Sequence, residues 1–184
     1  MLLALIHRIQ LAQAAWRRVL VRATGNQVGA SVIIGPYCNV ARGYARARQG
    51  TVMIGDRSRL EQGVLLHPHA GSIRIGRDVF LGPGVVVYGH GGVEIGDDCL
   101  IAMHCRILSS NHEIPPPGVG IRSRPDIVAP TKLGRDVWLG AGVTVLAGVT
   151  IGDGCVIGAG AVVTADLPAN SIAHGVPARV VSSR

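Results

Sequence analysis

An aliphatic residue returns every six positions through most of this chain, in five triplets: Ile54, Leu60 and Leu66; Ile75, Leu81 and Val87; Ile95, Ile101 and Ile107; Leu133, Leu139 and Val145; Ile151, Ile157 and Val163. Ile34 and Val40 mark an incomplete earlier triplet. A period of six matches neither an amphipathic helix nor one long strand, but it accommodates one short strand plus one turn. Glycine often follows the aliphatic residue, as in Ile54-Gly55, Ile95-Gly96 and Leu139-Gly140. We read these glycines as corners whose backbone conformation a side chain would forbid. Three hexads then close one triangular coil, and stacked coils bury a continuous core.

Side chains alternate along a strand, so the position two before each aliphatic residue should also point inward. Val32, Val52, Ser58, Val64, Val79, Val85, Val93, Val137, Val143, Val149 and Ala161 occupy that slot. So do all four cysteines, Cys38, Cys99, Cys105 and Cys155. They read as small fillers of a narrow core, and the lack of a CxxC arrangement fits a reduced, cytoplasmic setting. With 3% aromatic against 48% hydrophobic residues, small aliphatic side chains must build that core.

The opening "MLLALIHRIQLAQAAWRRVL" has Leu2, Leu5, Ile6, Ile9, Trp16 and Leu20 near a helical period. Arg8 and the Arg17–Arg18 pair interrupt it, so it is neither a membrane span nor a signal peptide. Two readings follow: a helix covering one open end of the domain, or an amphipathic helix resting on the inner face of a membrane. The expected boundaries are a helix over 1–24, coils over 28–165 with an excursion at 108–131, and a C-terminal extension over 166–184. The net charge is +7, and Lys132 is the one lysine among 18 basic residues. Such a balance suits polyanions in general. No zinc-finger or RNA-binding motif and no aromatic-interleaved basic stripe accompanies it, so nucleic acid is not the expected partner.

The departures from the period fall at one corner. The step from Leu66 to Ile75 is nine, from Val87 to Ile95 eight, and from Ile107 to Leu133 twenty-six. The largest excursion is "RILSSNHEIPPPGVGIRSRPDIVAP", whose prolines deny it regular structure while stiffening it. His112 stands at its root, five residues after Ile107, where the coil holds the backbone. Asn111 and Glu113 flank it, and His90 lies at the same corner one coil earlier; each is a candidate for positioning the acceptor or, for the flanking pair, the histidine. His67 and His69 read as surface corner residues.

The aliphatic-Gly-x-x-x-x pattern resembles the hexapeptide-repeat proteins, which implies an all-β fold, a left-handed parallel β-helix, and a trimer. "SSNHEIPP" followed by "LGRDVWLGAGVTVLAGVTIG", with the C-terminal "VIGAGAVVTADLPANSIAHGVPARVV", is similar to the acyltransferase branch of that family. The tone is closest to polysaccharide and lipopolysaccharide O-acetyltransferases, with sugar, antibiotic and serine acetyltransferases further off. The resemblance implies direct transfer from acetyl-CoA to a hydroxyl of a sugar or cell-surface glycan precursor, with no metal. His112 is then the general base, and the Ala141 amide meets the oxyanion. Coenzyme A lies between subunits, near Ala141, Ala159, Thr164 and Arg179. Ala165 departs from the lysine that many relatives carry. Gamma-type carbonic anhydrases share the fold and bind zinc through three histidines; "VVVYGHGGVEIGDDCLIAMHCRI" brings His90 and His104 into loosely similar surroundings, with poorly matching spacing. A non-catalytic assembly module is the remaining reading, against which the intact His112 and C-terminal run argue.

Overall fold

Each hexad folds as a short strand and a turn. The strands Val93–Ile95, Leu100–Ile101 and Arg106–Leu108 make one coil, and Thr131–Leu133, Trp138–Leu139 and Thr144–Val145 make the next. The computed structural model describes residues 2–40 and 50–184, with side chains in the first stretch from residue 9 onward. The side chains of Leu2, Leu5, Ile6 and Arg8 in the apolar stripe therefore lie outside the described residues.

Stacked coils form three parallel sheets of six, eight and six strands, one on each face of a triangular prism that winds left-handed. Equal hexad positions pair between coils: Leu100 lies between Phe80 and Trp138, and Ile101 between Leu81 and Leu139. On the second face the strand Ser171–Gly175 continues the ladder in parallel, and Ala178–Ser183 folds back antiparallel on it.

The register turns every aliphatic position inward. Leu60, Leu66, Leu81, Ile101, Ile107, Leu139 and Ile151 are fully buried, each stabilising the fold by about 1.5–3 kcal/mol. Side chains in the slot two residues earlier join them, and several also tie coils together. Cys99 Sγ lies 3.1 Å from the Gly134 carbonyl, Cys105 Sγ 3.1 Å from that of Gly140, and Cys155 Sγ 3.0 Å from that of Pro168. Ser58 donates at 2.8 Å to the Gly76 carbonyl and accepts the Val79 N–H at 3.1 Å. Burial pushes the Cys99 thiol from an ordinary 9.0 up to about 11.

The glycine after each aliphatic residue has a different cause from the one expected. Gly55, Gly96, Gly134 and Gly140 do not have left-handed backbones, but a Cβ on any of them would run into the next coil. At Gly134 it would meet Asp153 Oδ1 at 2.2 Å, and at Gly140 the Ala159 nitrogen at 2.6 Å. The constraint is the strand spacing of about 4.8 Å between coils, which leaves no room for a methyl group at the corner.

The helix α1, Leu2–Ala23, sits against the first coil. Its arginines face inward: Arg18 donates to the Val32 carbonyl at 3.1 Å, Arg17 to that of Ile34 at 3.3 Å, and Arg22 Nε to that of Val28 at 2.8 Å. These carbonyls belong to the first coil, which has no coil beneath it. Ile9, Trp16 and Leu20, expected to cover the open end, are exposed instead, because guanidinium groups satisfy bare carbonyls and alkyl groups cannot. No helix among the described residues is long and apolar enough to cross a membrane.

Candidate functional site

The long excursion leaves the prism at the corner between the third and first faces, and its two ends are pinned there. Ser109, fully buried, donates to the Tyr88 carbonyl at 2.7 Å and accepts the Gly91 N–H at 3.0 Å. Thr131, also buried, donates to the Leu108 carbonyl at 2.7 Å and accepts the Gly148 N–H at 3.1 Å. Between these anchors the chain forms a hairpin of Ser110–His112 and Asp126–Val128, with His112 opposite Asp126. A short 3-10 turn, Ile121–Ser123, occupies its exposed outer part.

Directly opposed residues of an antiparallel pair point to the same side. His112 Nδ1 lies 2.7 Å from Asp126 Oδ1, with side-chain exposures of 70% and 29%. The contact assigns a proton to Nδ1, which donates to the carboxylate, and leaves the Nε2 lone pair free on an open ring. The arrangement can accept a proton from a solvent-facing donor while a carboxylate steadies the cation that forms. Asp126 was not anticipated; its signal was its standing as the one acidic residue between Glu113 and Pro130.

The flanking residues point elsewhere. Glu113 Oε1 lies 3.8 Å from Arg124 Nε across the hairpin, and Asn111, opposite Ile127, is exposed. His90 lies beneath the hairpin with Nδ1 3.2 Å from Asp126 Oδ2 and a side chain only 18% exposed. His67 and His69 are not surface residues. His67 is 6% exposed and stacked on Tyr88, with ring centroids 5.3 Å apart and planes 7° apart. His69 packs on His90 at 4.1 Å. The same hexad position in successive coils superposes these rings, and the hairpin roofs them. Burial, followed by the neighbouring imidazoles His90 and His67, lowers the His69 pKa, so its ring is neutral.

The other expected positions lie away from this corner. Ala141 and Ala159 stack at the corner between the second and third faces, where Gly160 N–H donates to the Ala141 carbonyl at 2.8 Å. The amides of Ala141 and Ala159 themselves donate to nothing among the described residues. Beside them, a Cβ on Gly142 or Gly160 would meet nothing within 4 Å, so this corner presents bare backbone to solvent. Thr164 and Arg179 are exposed, Arg179 on the strand Ala178–Ser183. Within one chain the whole third face separates Ala141 from His112. His104 also lies at the Ala141 corner, not with His90, so the two do not form part of one zinc site. Among the described residues no three His, Cys, Asp or Glu side chains are placed to hold one ion.

Comparison with known proteins matches residues 130–165 to the bacterial transferase hexapeptide of six repeats, and residues 72–105 to the hexapeptide repeat of succinyl-transferase. A probable acetyltransferase of Mycobacterium tuberculosis is 40% identical over 133 residues, which are 72% of this chain and 42% of that relative; the chain thus spans under half its length. Among solved structures, AntD, an N-acyltransferase from Bacillus cereus in complex with dTDP and 3-hydroxybutyryl-CoA, superposes with a TM-score of 0.72 at 21% identity, covering 91% of this chain and 88% of that one. A maltose O-acetyltransferase from Clostridium difficile gives 0.60 at 24% identity, covering 91% and 74%.

Proposed function

Because the chain belongs to the hexapeptide-repeat acyltransferase family, we propose that it moves an acetyl group from acetyl-CoA to a hydroxyl of a sugar or cell-surface glycan precursor, with His112 as general base. The observation that carries this reading is the His112–Asp126 contact of 2.7 Å on a solvent-open rim. A hydroxyl is a weak nucleophile at neutral pH. His112 Nε2 takes its proton as the oxygen attacks the thioester carbonyl, and Asp126 steadies the imidazolium. Collapse of the tetrahedral species expels the thiolate, which takes the proton back from His112. No acyl-enzyme forms, and the base ends as it began.

The tetrahedral oxygen needs a fixed donor, and the uncommitted Ala141 amide supports that role. The bare backbone of Gly142 and Gly160 beside Ala159 suits an extended pantetheine arm, with Thr164 and Arg179 toward its nucleotide end. Since Ala141 and His112 occupy different corners, a site containing both takes them from two copies, which favours a homotrimer with sites between subunits. Ile114 on the hairpin loop is 90% exposed, and Trp138 and Leu100 on the outer second face 49% and 47%, as surfaces awaiting a neighbour are. The AntD complex with a sugar nucleotide and the maltose enzyme favour a sugar acceptor. Ile9, Leu11, Trp16, Val19 and Leu20 along α1 favour peripheral contact with a membrane carrying lipid-linked glycans.

Thiol release from acetyl-CoA, followed across a panel of sugar hydroxyl and amino-sugar acceptors, tests the reaction. We expect hydroxyl-dependent turnover that falls roughly 10²–10⁴-fold in His112→Ala, with an unchanged oligomer by light scattering. Turnover with amino sugars alone would replace the hydroxyl acceptor, and full activity in His112→Ala would remove the base.

A further inference from the structure

Asp126 meets two imidazoles. Oδ1 lies 2.7 Å from His112 Nδ1, while Oδ2 lies 3.2 Å from His90 Nδ1. His90 Nδ1 is buried, and its angle to Asp126 falls short of a closed hydrogen bond, which leaves that carboxylate as the acceptor within its reach. A buried imidazole nitrogen is costly to leave unmade, and a small rotation of the carboxylate closes the contact.

The backbone around His90 is shaped for this approach. It sits in the run Gly89-His90-Gly91-Gly92, the only side chain at that corner. A Cβ on Gly91 would meet the Ser109 carbonyl at 2.3 Å and the Ala129 nitrogen at 2.6 Å, so the hairpin root comes down onto the corner only because residue 91 has none. Below, His69 holds the other side of the ring at 4.1 Å and 42°, itself backed by Tyr88 at 6.1 Å and His67 at 5.9 Å. His69 is kept neutral by its burial, so the platform presses on His90 without adding charge.

We propose that His90 is a positioning residue for the base: by holding Oδ2 it fixes the rotation of the Asp126 carboxylate, so that Oδ1 faces His112 and the proton of His112 stays on Nδ1. A carboxylate with one partner can swing away from it; one held at both oxygens cannot. The inference rests on His112 being the base. It differs from the expectation that His90 lines the acceptor pocket, because the nitrogen it offers is spent on Asp126.

The test compares His90→Leu, which has no donor, with His90→Asn, whose side-chain amide can place an N–H near the Nδ1 position. Expected in His90→Leu is a fall in kcat of roughly 10-fold or more, with the acceptor KM unchanged; His90→Asn recovers most of that loss. The His112 ring, read by its own nitrogen–proton NMR correlations, is the Nδ1–H tautomer in the parent and in His90→Asn, and a mixture in His90→Leu. In an Asp126→Ala background, His90→Leu costs nothing more. An unchanged kcat and tautomer in His90→Leu would overturn the proposal. So would a raised acceptor KM at constant kcat, which marks an acceptor contact, or a full additional loss on top of Asp126→Ala. The tautomer reading needs no turnover, so it stands apart from a failure of His112 as the base. If His90→Leu fails to fold, the His112 tautomer in Asp126→Ala and in His90→Asn still decides.

Discussion

Replacing Asp126 by asparagine removes one negative charge and leaves the side chain's shape. The amide can turn its oxygen toward His112 Nδ1, so the bond and the tautomer survive while the attraction for a developing imidazolium does not. Two unit charges at about 4 Å interact by about 1 kcal/mol in bulk water and about 4 kcal/mol at an effective dielectric constant of 20. With His112 70% and Asp126 29% exposed, the pair lies toward the water limit, where solvent screens it. A loss of about 1–2 kcal/mol of transition-state stabilisation converts to roughly 5- to 30-fold in kcat. Asp126→Ala also frees the ring to rotate and change tautomer, so its loss should reach roughly 10²-fold. The assay is initial-rate thiol release at saturating acetyl-CoA, with thermal melts to show that both variants are folded. The expected order is parent, then Asp126→Asn, then Asp126→Ala, then His112→Ala. Parent-like kcat in Asp126→Ala, with His112→Ala inactive, would refute the reasoning, since the base would then work without its carboxylate.

Gly134→Ala should cost about 1–3 kcal/mol in denaturant unfolding, since its Cβ would meet Asp153 Oδ1 at 2.2 Å. Gly120→Ala, where a Cβ meets nothing within 4 Å and φ is −65°, should stay within about 0.5 kcal/mol. Equal effects would show that coil spacing is not what selects glycine. The fold holds Cys99 protonated up to about 11 against an ordinary 9.0, so the unfolded chain releases that proton first. Its contribution is complete below pH 9 and is lost as pH rises through 11, and Cys99→Val should flatten stability across that window. Deleting residues 1–20 should abolish co-sedimentation with anionic liposomes if the exposed row on α1 is the contact; unchanged binding would dismiss it.

The hexad was legible because it is local: Ile95, Ile101 and Ile107 sit six apart in sequence and are all buried in the core. What depends on distances between coils was not. The glycines after the aliphatic residues were attributed to their own backbone angles, whereas the atoms that forbid a side chain at Gly134 belong to Asp153. His112 was legible from its place at the foot of the excursion. Asp126, fourteen residues further on, was not, because their meeting depends on a hairpin closed through a proline- and glycine-rich turn with no strand periodicity. His67 and His69 looked exposed for the same reason: the roof over them is built by distant residues. On α1 the apolar stripe was visible, but which face met the prism depended on the unpaired carbonyls beneath it.

A stack of parallel strands is by nature an open-ended object, since each coil presents at its top the same row of amides and carbonyls that its bottom needs. Left bare, such ends seed growth by addition of further copies, the route to a fibre. Here three guanidinium groups occupy the carbonyls of the first coil, and an antiparallel strand, Ala178–Ser183, closes the far edge of the second face. The arginines of α1 thus set the length of the rod: they make a discrete particle from a sequence whose repeat could otherwise continue indefinitely.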